Sequence, residues 1–189
     1  MLTAAVILSL LIGWMGGGRL SRWEEARIHW LLLPIAALFI QHIAVSWIPW
    51  PKTGSGFWGP ALLLLSYLML GLFLLRNRRR TRTALCTGAG LLCNLVVIAA
   101  NGWRMPVSTQ AALRLSSQGL EALSAGAIPM YALAGPETKL LFLGDIFYLP
   151  IPLLRGFASV GDFCLAAGVF FCFMAMMKPT RLPIWLRNG

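Results

Sequence analysis

Two carboxylates in apolar surroundings are the residues most able to do chemistry here: Asp145 in LFLGDIFYLP and Asp162 in ASVGDFCLAAG. Each follows a glycine. A Gly-Asp pair at the start of a segment lets the carboxylate cap exposed N–H groups, and Ser159 is an alternative cap beside Asp162. Two acids could also divide the roles of acid and base. Around them stand Arg104, Arg155 and the amides Asn94 and Asn101, which are seven residues apart and share a helix face. His42, with Gln41 beside it, offers a ligand or proton carrier, or simply a helix–helix hydrogen bond. Arg104, Asp145, Arg155 and Asp162 fall on one predicted side. They could form a buried ion pair, or a polar pocket for an anionic headgroup or small ligand.

Catalytic signatures are absent. No GxSxG, HExxH, Walker A or acidic cluster occurs. Cys86, Cys93, Cys164 and Cys172 lie in apolar segments, form no CxxC pair and have no nearby His. They are expected to be small buried hydrophobes, so no metal site is assigned and no cofactor is specified. Gly13 and Gly17 make one GxxxG, a weak sign of close helix packing.

These residues sit in a chain of 189 residues that is 58% hydrophobic and only 12% charged. Its mean hydropathy is +0.75. Apolar runs that are continuous and Leu-rich favour membrane helices over a barrel. Spans are expected at about 1–16, 28–47, 60–75, 84–101 and 158–177. Pro34 is placed to kink the second. The first is read as a retained helix rather than a signal peptide, because its first cation, Arg19, follows the apolar run. Residues 102–157 hold no clean span. Ser108 to Ser124 reads as one amphipathic helix on the membrane surface or across the bundle. Lys139 to Arg155, broken by Gly144, Pro150 and Pro152, reads as re-entrant or interfacial. The expected fold is an all-α transmembrane bundle of about five spans plus this irregular outer segment, in one integral membrane domain over 1–189.

Charge then sets the orientation. The net charge of +10 would suggest nucleic acid in a soluble protein, but membrane topology explains it here. With the first span entering from outside, the inside holds Arg19, Arg22, Arg27, the Arg76–Arg82 cluster, Lys178, Arg181 and Arg187. That is 11 cations against five outside: Lys52, Arg104, Arg114, Lys139 and Arg155. The positive-inside rule selects an outer N-terminus and a cytoplasmic C-terminus. Odd spans argue against an inverted repeat within one chain, though a homodimer could supply one.

The chain resembles a group of small bacterial membrane proteins known as a domain of unknown function. The residues that carry the resemblance are GGRL at Gly17 to Leu20, Gln41, and the run from Asn94 through NGWRMPVS at Asn101 to Ser108. Gly144-Asp145 and Ser159-Val160-Gly161-Asp162 match too. Relatives more often show Asn-Gly-Gly-Arg-Met-Pro, and Trp103 takes the second glycine's place. The resemblance implies a compact helical membrane fold with its motif residues on one side, and no activity.

The leading expectation is a non-enzymatic membrane protein that binds a lipid or small ligand at an outer pocket. Its candidate residues are Asn94, Asn101, Arg104, Asp145, Ser159, Asp162 and His42. It could act alone as a translocation factor or within a complex. Alternatives are a structural subunit of a respiratory or photosynthetic assembly, with His42 or His29 near a pigment or haem, and a lipid-processing enzyme. Expected partners are membrane lipids, with other membrane subunits or a second copy as further ones, and no nucleic acid.

Overall fold

A computed structural model describes residues 1–21, 28–48, 56–150 and 156–187. Arg22, Arg27, Lys52, Pro152 and Arg155 lie outside the described residues. In chain order the elements are α1 (Leu2–Met15), α2 (Leu32–Ser46), α3 (Trp58–Arg76) and α4 (Thr81–Ala100). After them come β1 (Met105–Val107), α5 (Thr109–Ala112), α6 (Ser117–Ser124), β2 (Tyr131–Leu133) and β3 (Asp145–Leu149). The chain closes with β4 (Gly156–Ser159), α7 (Val160–Met177) and α8 (Ile184–Arg187).

α3, α4 and α7 are long and apolar enough to cross a membrane. α1 and α2 are apolar but have only 14 and 15 residues. At 1.5 Å per residue they reach about 21–23 Å, short of a hydrocarbon core of about 30 Å. Pro34 sits in the first turn of α2, where its missing N–H has no helical partner to lose, so it does not interrupt the helix. The outward faces carry Leu8, Leu11, Phe39, Leu68, Leu85 and Leu92, all exposed, as suits contact with lipid tails.

α4 lies along α7, α1 packs on α7, and α2 packs on α3, which meets α4. The close approach of α4 to α7 depends on glycines. A Cβ added at Gly90 would stand 2.6 Å from the Gly161 carbonyl oxygen, and one at Gly168 would strike Thr87. α1 and α7 run in the same direction, and their C-terminal ends are tied together. The Arg19 N–H donates to the Met177 carbonyl at 3.0 Å and the Arg181 N–H to the Gly16 carbonyl at 2.9 Å. Gly13 faces Met174 and Met177 of α7, but Gly17 lies beyond the helix at φ +78°, so the two glycines do not form one packing face.

The all-α expectation fails between Met105 and Ser159, and the helix expected from residue 158 starts at Val160. This segment builds a four-stranded sheet in the order β2-β1-β3-β4, parallel except for the β3–β4 pair. Strands of three to five residues are too short for alternation to register in sequence. Within the segment expected to be re-entrant or interfacial, residues 139–150 form a 3-10 turn at Leu141–Leu143 that leads through Gly144 into β3. The single helix expected over Ser108 to Ser124 is two. Ser108 Oγ accepts from the Ala111 N–H and Ser116 Oγ from the Gly119 N–H, each at 3.2 Å, so each serine starts a new helix. Their apolar side faces the sheet. Ala111, Ala112 and Leu123 are buried against Val107, with Leu133, Tyr148 and Phe157 around them.

A second core joins this cap to the helices through Leu63, Val97, Ile98 and Met105. Between α4 and β1 the chain turns at Gly102 and Trp103, both at φ +65°. Glycine occupies that left-handed conformation at little cost and Trp does not.

Candidate functional site

The site begins where β4 becomes α7. Ser159 ends the strand and caps the helix: its Oγ accepts from the Asp162 N–H at 3.0 Å, and its own N–H donates to Asp162 Oδ2 at 3.0 Å. This is a reciprocal capping box. α4 completes it. Asn94 Nδ2 donates to Asp162 Oδ1 at 3.1 Å, and Ser159 Oγ donates to Asn94 Oδ1 at 2.9 Å. Asn94, Ser159 and Asp162 therefore form one closed network, with Ser159 fully buried. Gly161 makes it possible, because a Cβ there would occupy the position of the Asn94 carboxamide.

Asp145 stands next to this network. It opens β3, between Val107 of β1 and Ser159 of β4. Its residue is 3% exposed, and Oδ1 has no hydrogen-bond partner. It starts a strand, so it caps no helix. Burial, and then the Asp162 charge, push its carboxyl from the ordinary 3.8 up to about 7. Burial and the charges of Asp145 and Asp162 push the Tyr131 hydroxyl up to about 12.

Both acids border a cavity of about 490 Å³ between the α2–α3 pair and the α4–α7 pair. α4 contributes Thr83, Thr87, Leu91, Asn94 and Ile98, one face at three- and four-residue spacing. Fifteen residues of helix rise about 22 Å. The cavity thus runs along the helices as a partly open shaft. Leu70, Phe73, Leu91, Leu165, Val169 and Phe173 make its walls apolar. Asn94, Asp145, Asp162, Tyr67 and Tyr131 gather at the sheet end. At the far end the buried Thr83 Oγ1 has no partner. Such a volume falls in the range of pockets that take a ligand of drug-like size.

The other candidates sit elsewhere. Asn101 is the C-cap of α4 and turns away from Asn94. Its Nδ2 donates to the Val97 and Lys139 carbonyls, each at 2.8 Å, and its Oδ1 accepts from the Lys139 N–H at 2.9 Å. It fastens the loop before β3 and does not share a polar seam with Asn94. Arg104 is buried beside β2, with Nη1 3.4 Å from the Tyr131 carbonyl, and does not line the cavity. His42 is exposed on α2, 3.5 Å from Ser46 Oγ. The four cysteines are free and half-buried rather than fully buried.

Among the polar residues that line the cavity, Tyr67, Thr83, Thr87 and Tyr131 were not sequence candidates, and Gln41 was noted only beside His42 and in the family resemblance. Gln41 Nε2 donates to Ser66 Oγ at 2.9 Å, joining α2 to α3. The adjacent Ser66-Tyr67 in the Leu-rich run of α3 was the available signal, since polar groups there are costly. Tyr131 had none, because it lies in a strand that sequence patterning does not mark.

A family model described as "Family of unknown function (DUF5317)" matches residues 24–174. Comparison with curated proteins and with solved structures finds no match.

Proposed function

From the premise that the chain belongs to this family of unknown function, we propose that it binds one amphipathic molecule in the shaft between its helix pairs. The apolar part lies along α4 and α7, and the polar head lies at Asp145 and Asp162. The observation that carries this reading is the continuity of the cavity, from apolar helix walls to a buried acid whose Oδ1 has no hydrogen-bond partner. An unsatisfied buried acceptor is destabilising by about 1–3 kcal/mol, and a ligand donor would relieve it.

The reading includes an orientation. α3, α4 and α7 cross the bilayer, and the shorter α1 and α2 cross where it thins locally, in alternating directions, with the sheet outside and the C-terminus in the cytoplasm. Two observations support this. Arg76, Arg78, Arg79, Arg80, Lys178 and Arg181 cluster at the end opposite the sheet. The start of α2 is also tied to the end of α3, as alternating directions require: the His29 N–H donates to Asn77 Oδ1 and Asn77 Nδ2 donates to the His29 carbonyl, both at 2.9 Å. The protein could bind its ligand alone or as a subunit that presents it to others.

Mass spectrometry of gently purified protein tests the proposal. One amphiphile should be retained per chain, and Val169→Trp, which fills the shaft, should release it. A wild-type protein that carries no amphiphile and takes up none would sink the idea. One observation favours a second reading, a lipid-processing enzyme: an acid raised to about 7 can give or take a proton at neutral pH. Chemical conversion of the retained molecule, lost in Asp145→Asn, would select it.

A further inference from the structure

Resting on that binding reading, we infer that the head of the bound amphiphile is an ammonium group. Among the described residues, those lining the shaft include two carboxylates, Asp145 and Asp162, and no Lys, Arg or His. The local balance of formal charge is negative in a chain whose overall charge is +10. The two acids also differ in what they lack. Asp162 is provided for, with the Ser159 N–H on one oxygen and Asn94 Nδ2 on the other. Asp145 is not, for its Oδ1 is buried with no donor. The missing partner is a donor, and beside a second carboxylate a cationic donor gains most.

The alternatives fare worse on the same geometry. A phosphate or carboxylate head would be placed against two acids in a low-dielectric site with no facing cation, which like-charge repulsion forbids. A hydroxyl head satisfies one oxygen but leaves the negative charge uncompensated. Tyr67 and Tyr131 line the same end, and a phenol oxygen can accept from the remaining N–H groups of an ammonium. The apolar shaft, about 22 Å along α4, sets the rest of the ligand as an extended hydrocarbon chain.

Three probes with one chain and three heads test this: dodecylamine, dodecanol and dodecanoate, each titrated at pH 8 into the purified full chain in a neutral detergent. The amine should bind at least ten-fold tighter than the alcohol, and the carboxylate most weakly. In Asp145→Asn the preference of amine over alcohol should fall several-fold, whatever the variant does to alcohol affinity itself. Equal binding of amine and alcohol to the wild type, or tighter binding of the carboxylate, would overturn the ammonium head and leave the shaft standing. That ranking needs no variant, so a misfolded Asp145→Asn does not blunt it. If no probe binds, and Val169→Trp behaves as wild type, the shaft itself is refuted.

Discussion

Ser159 Oγ donates a hydrogen bond to Asn94 Oδ1 at 2.9 Å, and this contact joins the start of α7 to the middle of α4 across 65 residues of sequence. It is the bond by which the sheet, the capping box and the cavity wall are held in one register. Removing either partner leaves a buried polar atom behind.

Ser159→Ala should therefore destabilise by about 2–4 kcal/mol, because it deletes the helix cap and also strands Asn94 Oδ1. Asn94→Ala should cost a similar amount. In chemical or SDS unfolding the double variant should cost less than the sum, with a coupling of about 0.5 kcal/mol or more. Strict additivity would show that the two side chains act independently.

Gly161→Ala and Gly71→Ala make a contrast between two helical glycines. At Gly161 the new methyl meets Asn94 and lies 2.9 Å from the Gly90 carbonyl oxygen, whereas at Gly71 nothing lies within 4 Å. The first should lose about 1–3 kcal/mol or more through separation of α4 from α7. The second should gain about 0.5–1 kcal/mol from helix propensity. Thermal unfolding in detergent checks both, and a tolerated Gly161→Ala would mean the helices are not in contact there.

Asp145 gives stability a pH dependence. Its folded value of about 7 exceeds the ordinary 3.8, so the folded state holds a proton that the unfolded state has released between those values. Its contribution is fully present below about pH 4 and is lost as pH rises through 7. Asp145→Asn should flatten this slope and be relatively more stable at pH 8 than at pH 4. An unchanged profile in unfolding titrations from pH 4 to 8 would place the titration on another group.

The same ionisation bears on ligand affinity. Asp162, Tyr67 and Tyr131 line the same end of the cavity as Asp145, and Asp145 must release its proton to pair with an ammonium. Dodecylamine affinity should fall about ten-fold per pH unit below 7, while dodecanol affinity stays level. Equilibrium titrations at pH 5.5, 6.5 and 8 resolve the two slopes, and parallel slopes would count against pairing at Asp145.

Trp103 holds a conformation suited to glycine, at φ +65°. Trp103→Gly should be more stable than Trp103→Ala by about 1 kcal/mol, since both lose the ring but only glycine relieves the backbone. Thermal midpoints of the two variants decide it. Alanine ranking above glycine would show that the turn relaxes without its Trp.

Composition and local pattern were enough to make this a helical membrane protein. Leu-rich runs declare themselves because every residue of a span meets an apolar environment, so no contact need be known. Ser159 and Asp162 were legible for a similar reason, since a capping box is written within four residues of chain. The sheet was not, because strands of three to five residues carry no period and are stabilised by partners far away in sequence. Asn94 and Asn101 look equivalent at seven-residue spacing, yet one closes the Asp162 network and the other fastens Lys139. Only the tertiary structure separates them, because a side chain's partner lies on another element. Asp145 shows the same division. Its sequence marks it as a carboxylate in apolar company, and only the packing of β1, β3, β4 and the helix pairs decides that it is left without a donor at the head of a shaft.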